Sequence, residues 1–139
     1  MGKVVVSARI ENLADLIRSR AGDVASGEVR ALEVHDALVD TGATMLSLPR
    51  RHIQALGLQR HRTRTARTTA GTVSFGVFEP VRLTVQDRDC VVEVCEIPDD
   101  CPPLIGQIPL EALDFVVDPT GQRLLGNPEH GGQHMIDLF

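Results

Sequence analysis

The sequence has few aromatic residues and contains neither tryptophan nor tyrosine. Four phenylalanines make up the whole aromatic content, which is 3% of the 139 residues. The chain therefore lacks the aromatic platforms on which proteins stack the bases of single-stranded nucleic acid. Its apolar fraction of 42% is ordinary for a globular protein and comes mainly from aliphatic side chains. We expect a single domain over residues 1–139 with a core of Val, Leu and Ile.

Cysteine and long apolar runs are also scarce. The three cysteines, Cys90, Cys95 and Cys101, form no CxxC pair, and the histidines are scattered, so we predict no metal site. No apolar run reaches the roughly 20 residues that span a bilayer, and no signal peptide is recognisable. These features predict a cytoplasmic protein with reduced thiols and no membrane partner.

Charge is unevenly distributed along the chain. The net charge is -5, but residues 1–70 carry +4 and residues 71–139 carry -9. The main basic run holds Arg60, Arg62, Arg64 and Arg67. It is typical of a solvated strand face, and binding of phosphates or of an acidic peptide is the alternative. The arginines could also line a peptide channel. Because no aromatic residues interleave with these arginines, we predict no nucleic-acid partner.

Short β-branched and apolar segments alternate with turn residues at intervals of about 8–12 residues, a pattern typical of an all-β fold. Two short helices are expected, one starting at Pro49 and ending before Gly57, the other starting at Pro109. Residues 11–27 indicate a short helix or an ordered loop of unassigned role. Strands are expected at residues 3–10, 28–39, 46–48, 60–69, 73–78, 81–85, 91–97, 115–117 and 123–125, with turns at residues 70–72, 87–89 and 118–121. Residues 104–106 are a short apolar run that ends in a glycine.

The segment Leu38-Val39-Asp40-Thr41-Gly42-Ala43 carries the strongest indication of chemistry. An apolar run ends in an aspartate that is followed at once by a hydroxyl residue and a glycine. This order can place a carboxylate at the end of a buried strand, on a tight loop whose amides face it. An aspartate that caps a helix or closes a simple turn is the alternative interpretation.

One aspartate is a weak base, whereas two carboxylates in contact share a proton and can act together as general base and general acid. The chain holds one such loop, so a second carboxylate has to come from elsewhere. The run Asp118-Pro119-Thr120-Gly121 resembles a second loop superficially. We interpret it as a type I turn, with Asp, Pro and Gly at the positions that this turn favours.

The segment around Asp40-Thr41-Gly42-Ala43 resembles the active-site motif of retroviral-type (retropepsin-like) aspartic proteases. Leu104-Ile105-Gly106 is similar to the apolar-apolar-glycine element that packs beside the catalytic loop in that family. The predicted tip at Ala70-Gly71 stands where the family places its substrate-covering flap. The stretch from Ile105 through Asn127-Pro128-Glu129-His130 further resembles a prokaryotic stand-alone branch of the family, and the likeness covers roughly residues 30–130.

The resemblance implies a small closed acid-protease barrel with one or two short helices and one catalytic loop per chain. It implies a homodimer in which Asp40 of each chain forms the catalytic pair and Thr41 of each chain braces the other loop. An extended peptide or protein substrate would lie under the flap, and no cofactor would be needed. Residues 4–10 and 135–139 are candidate interface strands.

A second hypothesis is a peptide-binding or assembly module of the same fold with little or no turnover. The sequence Thr69-Ala70-Gly71-Thr72 departs from the glycine-rich flaps of viral enzymes. A flap that closes poorly would leave the carboxylates in contact with bulk water and the reaction slow.

Overall fold

The computed structural model describes residues 3–138, which form mostly β-strands with three short α-helices. The all-β prediction is confirmed. Along the chain the elements are β1 (Val4–Asn12), α1 (Leu13–Arg20), β2 (Ala31–Val39), β3 (Leu46–Pro49), α2 (Arg50–Leu56), β4 (Arg60–Thr68), β5 (Gly71–Val85), β6 (Arg88–Ile97), β7 (Leu104–Ile105), α3 (Gln107–Leu113), β8 (Phe115–Asp118) and β9 (Arg123–Gly126).

Seven of the strands between residues 3 and 138 form one sheet in the order β1-β2-β7-β3-β6-β5-β4. Residues 9–12 of β1 also pair with residues 81–84 of β5, which closes six strands into a ring and leaves β4 outside it. β8 and β9 form a separate antiparallel hairpin. Closing the ring removes most of the open sheet edges that would otherwise invite pairing with other chains.

The short strand β7 lies between β2 and β3. It runs parallel to β2, with Leu104 opposite Leu38 and Ile105 opposite Val39. It runs antiparallel to β3, where Ile105 lies opposite Leu46. This arrangement brings a segment from late in the sequence against the loop that connects β2 to β3.

The core fills the ring with aliphatic side chains. Its most deeply buried members are fully or almost fully removed from solvent, and they include Ile10, Leu48, Leu56, Leu83, Val94, Ile105 and Leu113. Burying a side chain of this size contributes about 1.5–3 kcal/mol. The predicted reliance on Val, Leu and Ile is confirmed.

The helix boundaries follow local signals. Asn12 caps α1 by accepting a hydrogen bond from the Asp15 amide. α2 ends at Gly57, which has a φ of 66° in the left-handed region where glycine carries no side-chain penalty. Pro49 precedes the first residue of α2 instead of occupying it, because it is the last residue of β3.

Two strand predictions are wrong. Residues 73–78 and 81–85 belong to the single strand β5. The strand continues through residues 79 and 80 with a shift in its register against β6 between Phe78 and Val81. A bulge there accommodates Pro80, which has no amide hydrogen to donate to the next strand.

The turn expected at residues 87–89 lies at Gln86 and Asp87. Both residues have positive φ, of 49° and 68°, as the tight two-residue turn of a hairpin requires.

The C-terminal segment is held by a polar cluster around Asp114. This aspartate is 7% exposed, and its Oδ2 lies 2.6 Å from Nδ1 of His130 and also accepts a hydrogen bond from the Met135 amide. Its Oδ1 accepts one from Asn127. The bond with His130 is the main cause that lowers the pKa of Asp114 to about 2, and the same bond raises the pKa of His130.

The two candidate interface segments lie differently in the fold. β1 is part of the ring. Its residues 4–8 pair with β2 along one edge, and no strand within residues 3–138 pairs with their other edge. Residues 133–138 form no regular element and are exposed, and Phe139 lies outside the described residues. The role of these segments in a dimer stays a prediction. None of the helices between residues 3 and 138 has the length and apolarity needed to cross a bilayer.

Candidate active site

Asp40 is the residue that follows β2, on a compact loop that leads into β3. Its carboxylate Oδ1 accepts a hydrogen bond from the Gly42 amide at 2.9 Å. Its carbonyl oxygen accepts one from the Ala43 amide at 3.0 Å. A Cβ added to Gly42 would lie 3.2 Å from that Oδ1, closer than most side-chain carbons approach an oxygen. The loop therefore holds a partly exposed carboxylate in one orientation.

Strand β7 and the residue after it secure both sides of this loop. The Asp40 amide donates to the Ile105 carbonyl at 3.0 Å, and the Gly106 amide donates to the Met45 carbonyl at 3.1 Å. The first two amides of α3, from Gln107 and Ile108, donate to the Ala43 and Thr44 carbonyls at 2.9 Å each. The loop's main chain is thus fixed by partners more than 60 residues later in the chain.

Gly106 is required at its position by close packing. A Cβ there would come within 2.6 Å of the Met45 carbonyl oxygen and 2.7 Å of the Ala43 carbonyl oxygen. Both are main-chain atoms of the Asp40 loop, so they cannot rotate away as a side chain would. The family resemblance implied that Leu104-Ile105-Gly106 packs beside Asp40-Thr41-Gly42-Ala43, and the structure brings the two segments together.

The hairpin of β4 and β5 carries the predicted flap tip. Its turn lies at Thr69 and Ala70, and β5 begins at Gly71, whose φ is 118°. The Thr68 hydroxyl donates to the Gly71 carbonyl at 2.8 Å and accepts from the Ala70 amide at 3.2 Å. Ala70 and Gly71 are exposed at the end of the hairpin.

Two surface depressions lie beside these elements. One is next to the Asp40 loop and is mostly apolar, lined by Met45, Leu46, Val91, Val92, Glu93 and Ile108. The other lies along the hairpin and is lined by Arg60, Thr63, Ser74, Phe75, Gly76 and Glu96. Each has a volume of roughly 230–240 Å³, enough for one or two side chains of a ligand.

Asp118 lies at the turn between β8 and β9. Its Oδ1 accepts a hydrogen bond from the Gly121 amide at 3.1 Å, and its Oδ2 lies 3.4 Å from Nε of Arg123. These contacts, led by the bond from Gly121, lower the pKa of Asp118. The residue closes a turn, as the sequence predicted.

Sequence reasoning missed two polar clusters. One joins Glu93 of β6 to His61 and Arg62 of β4. The other is the Asp114–His130 pair, whose members are 16 residues apart. Neither cluster has a local motif, because its members meet only through strand pairing or hairpin packing. Among residues 3–138, no three His, Cys, Asp or Glu side chains are arranged to hold a metal ion.

A comparison with protein-family models matches residues 25–127, more than half of the chain, to the family described as "gag-polyprotein putative aspartyl protease". The chain belongs to this retroviral-type aspartyl protease family. The match includes the Asp40 loop, the β4–β5 hairpin and strand β7 of this aspartyl protease-family protein. A comparison with curated proteins found no match.

Proposed function

We propose that this chain is an aspartic endopeptidase that acts as a homodimer, with Asp40 of each chain supplying one of two catalytic carboxyl groups. The observation that carries the proposal is the Asp40 loop itself. Its carboxylate is oriented by the Gly42 amide and its main chain is fastened to β7 and α3. A group held this firmly is suited to proton transfer, where small displacements are costly.

The chemistry uses water as the nucleophile. Two Asp40 carboxyls in contact hold one proton between them, because like charges that close do not both ionise. The ionised carboxylate takes a proton from water while the water oxygen attacks the peptide carbon. The protonated carboxyl gives its proton to the carbonyl oxygen. The tetrahedral intermediate then breaks its C–N bond. The leaving nitrogen takes a proton from one carboxyl, and a hydroxyl of the intermediate gives a proton to the other, which leaves the dyad with its single shared proton.

Exposed apolar groups at both ends of the described chain support the dimer. Val5 on β1 is half exposed, and Met135, Ile136 and Leu138 project from the C-terminal segment. The first half of β1 has an unpaired edge within residues 3–138. An isologous interface would cover such surfaces and bring two copies of the single Asp40 loop to one axis. Thr41, exposed beside Asp40, would brace the partner's loop.

The proposed substrate is an extended peptide that pairs with the β4–β5 hairpin as an added strand. The depression beside Met45 is lined mostly by apolar side chains and would accept an aliphatic side chain of that peptide. The proposed location is the cytoplasm, because the three cysteines are free thiols and thiols persist in reducing compartments.

Two measurements test the proposal. The particle mass in solution should be near twice the 15.1 kDa of one chain. A strictly monomeric protein would lack the second carboxylate and would end the enzyme hypothesis. A peptide library should be cleaved by the wild type between acidic and neutral pH, and Asp40→Asn should cleave nothing. Cleavage that survives this substitution would show that Asp40 is not the catalyst.

One observation favours the second candidate, a peptide-binding or assembly module. Thr68 ties the hairpin tip together with two hydrogen bonds, and Gly71 is the only glycine among residues 68–72. A tip restrained in this way is less able to close over a peptide and exclude water. A dimer that binds peptides but cleaves none at any pH would support the module over the enzyme.

A further inference from the structure

The β4–β5 hairpin carries a surplus of positive charge. Residues 60–78 contain four arginines and one histidine but no aspartate or glutamate. The chain as a whole has a net charge of -5, so this basic segment stands apart from an acidic background. A hairpin that only needed solubility could use either sign of charge.

Part of that charge is neutralised within the fold. Arg62 forms an ion pair with Glu93, which also contacts His61. Arg60 has no ion pair within residues 3–138, but its guanidinium lies over the ring of Phe78 at 5.6 Å and packs against Gly76. By contrast, Arg64 and Arg67 make neither an ion pair nor a side-chain hydrogen bond with any residue in the range 3–138. Both are exposed.

Arg64 and Arg67 lie on opposite faces of the hairpin. Arg64 stands opposite Phe75 in the register of β4 and β5, and Arg67 stands opposite Thr72. Side chains alternate between the two faces of a strand, so residues three apart point to opposite sides. Whichever face of the hairpin covers a bound peptide therefore presents Arg64 or Arg67, each exposed and without an acidic partner in the described chain.

We propose that this hairpin selects peptides with an aspartate or glutamate, and that Arg64 or Arg67, whichever faces the peptide, pairs with that carboxylate. The proposal rests on the proposed function, because it assumes that the hairpin covers the substrate. Isolated guanidinium groups suit single carboxylates. Sequence-tolerant binding of single-stranded nucleic acid uses a basic groove with several aromatic rings for stacking. Residues 60–78 hold only Phe75 and Phe78, and Arg60 lies over the ring of Phe78.

Binding and cleavage can be measured separately. Binding is read by fluorescence anisotropy on Asp40→Asn, so that the peptides stay intact. The probes are labelled peptides that share one parent sequence. In each peptide a single position is replaced by glutamate, glutamine or lysine, and every position of the peptide is tested in turn. The hairpin variants Arg64→Gln and Arg67→Gln are added to Asp40→Asn, with Arg20→Gln on α1 as a matched loss of one exposed arginine.

At one peptide position, glutamate should bind about two- to fivefold more tightly than glutamine, as expected for one exposed ion pair. One hairpin variant should abolish that preference, and the other hairpin variant and Arg20→Gln should keep it. The preference should shrink at high salt, because screening weakens exposed pairs. Equal binding of glutamate and glutamine at every position would overturn the proposal, as would a preference that survives both hairpin variants.

A single-stranded oligonucleotide serves as the competitor. If it displaced the peptides at lower concentration than the acidic peptide itself, the hairpin would be a nucleic-acid surface and the proposal would be wrong. Cleavage by the wild type is scored independently. Cleavage without acidic preference would remove only this inference, and acidic preference in binding without cleavage would remove only the peptidase.

Discussion

The main-chain amide of Asp40 donates a hydrogen bond to the carbonyl oxygen of Ile105, with an N···O distance of 3.0 Å. Ile105 is completely buried. The main chain of the candidate catalytic residue is therefore hydrogen-bonded to a fully buried residue of the core, although its carboxylate is partly exposed. Strand β7 has only two residues, yet it holds the main chain at the end of β2, from which the Asp40 carboxylate projects.

Gly106→Ala should displace the Asp40 loop. The added methyl group would overlap main-chain oxygens of Ala43 and Met45, and we expect a loss of about 1–3 kcal/mol in the free energy of unfolding, measured in urea. Cleavage should fall as well. Gly27→Ala is the matched control, because a Cβ there meets nothing within 4 Å, and its effect should stay within about 0.5 kcal/mol. Equal effects of the two substitutions would contradict the packing described here.

Asp40→Asn should separate stability from activity. The asparagine oxygen can still accept the Gly42 amide bond, so the free energy of unfolding should change by less than about 0.5 kcal/mol. Cleavage should fall at least about 100-fold, because an amide neither takes nor gives the proton. A variant that unfolds much more easily than the wild type would show that the carboxylate's charge is structural.

The Asp114–His130 pair should make stability depend on pH in a defined window. The pKa of His130 is raised in the folded protein. Its contribution to the free energy of unfolding is therefore complete below about pH 6.5 and is lost as pH rises through its pKa in the folded state. The pKa of Asp114 is lowered in the folded protein. Its contribution to the free energy of unfolding is therefore complete above about pH 4 and is lost as pH falls towards about 2. The difference in urea midpoint between wild type and His130→Gln should therefore be largest between about pH 4 and 6.5. A difference that stays constant from pH 4 to 9 would rule out this pairing.

Asn12→Ala should lower stability without changing the chemistry. The Asn12 side chain is 2% exposed, caps α1 and donates to the Leu56 carbonyl at 2.7 Å. Losing the cap and leaving that carbonyl unpaired should cost about 2 kcal/mol in urea unfolding. The exposed substitution Ser26→Ala should be neutral within about 0.5 kcal/mol. If Asn12→Ala changed kcat/KM of the folded protein, the residue would have a role beyond the fold.

The parts of the fold that depend on local chemistry were predictable. The hairpin of β8 and β9, the end of α2 before Gly57 and the end of β2 just before Asp40 follow from turn residues and apolar runs. The meeting of Leu104-Ile105-Gly106 with Asp40-Thr41-Gly42 was also anticipated, but through family resemblance. Nothing in the spacing of the two segments, which lie more than 60 residues apart, implies that they pair.

The features that sequence reasoning missed arise from tertiary contacts. The sequence predicts separate strands at residues 73–78 and 81–85, yet β5 runs through both, with a register shift against β6 between them. His130 resembles an isolated histidine until the β8–β9 hairpin and the Asn127 turn bring it to Asp114. In both cases the deciding partner lies on another element, where no local propensity can reveal it.

The most direct test of the central claim, that two copies of Asp40 form one site, is a mixing experiment. A fixed amount of wild type is unfolded and refolded together with an equal amount of Asp40→Asn, and peptide cleavage is compared with wild type refolded alone. If each site needs Asp40 from both chains, random pairing should leave about half of the original activity. Activity that is unchanged by the added variant would contradict a shared site.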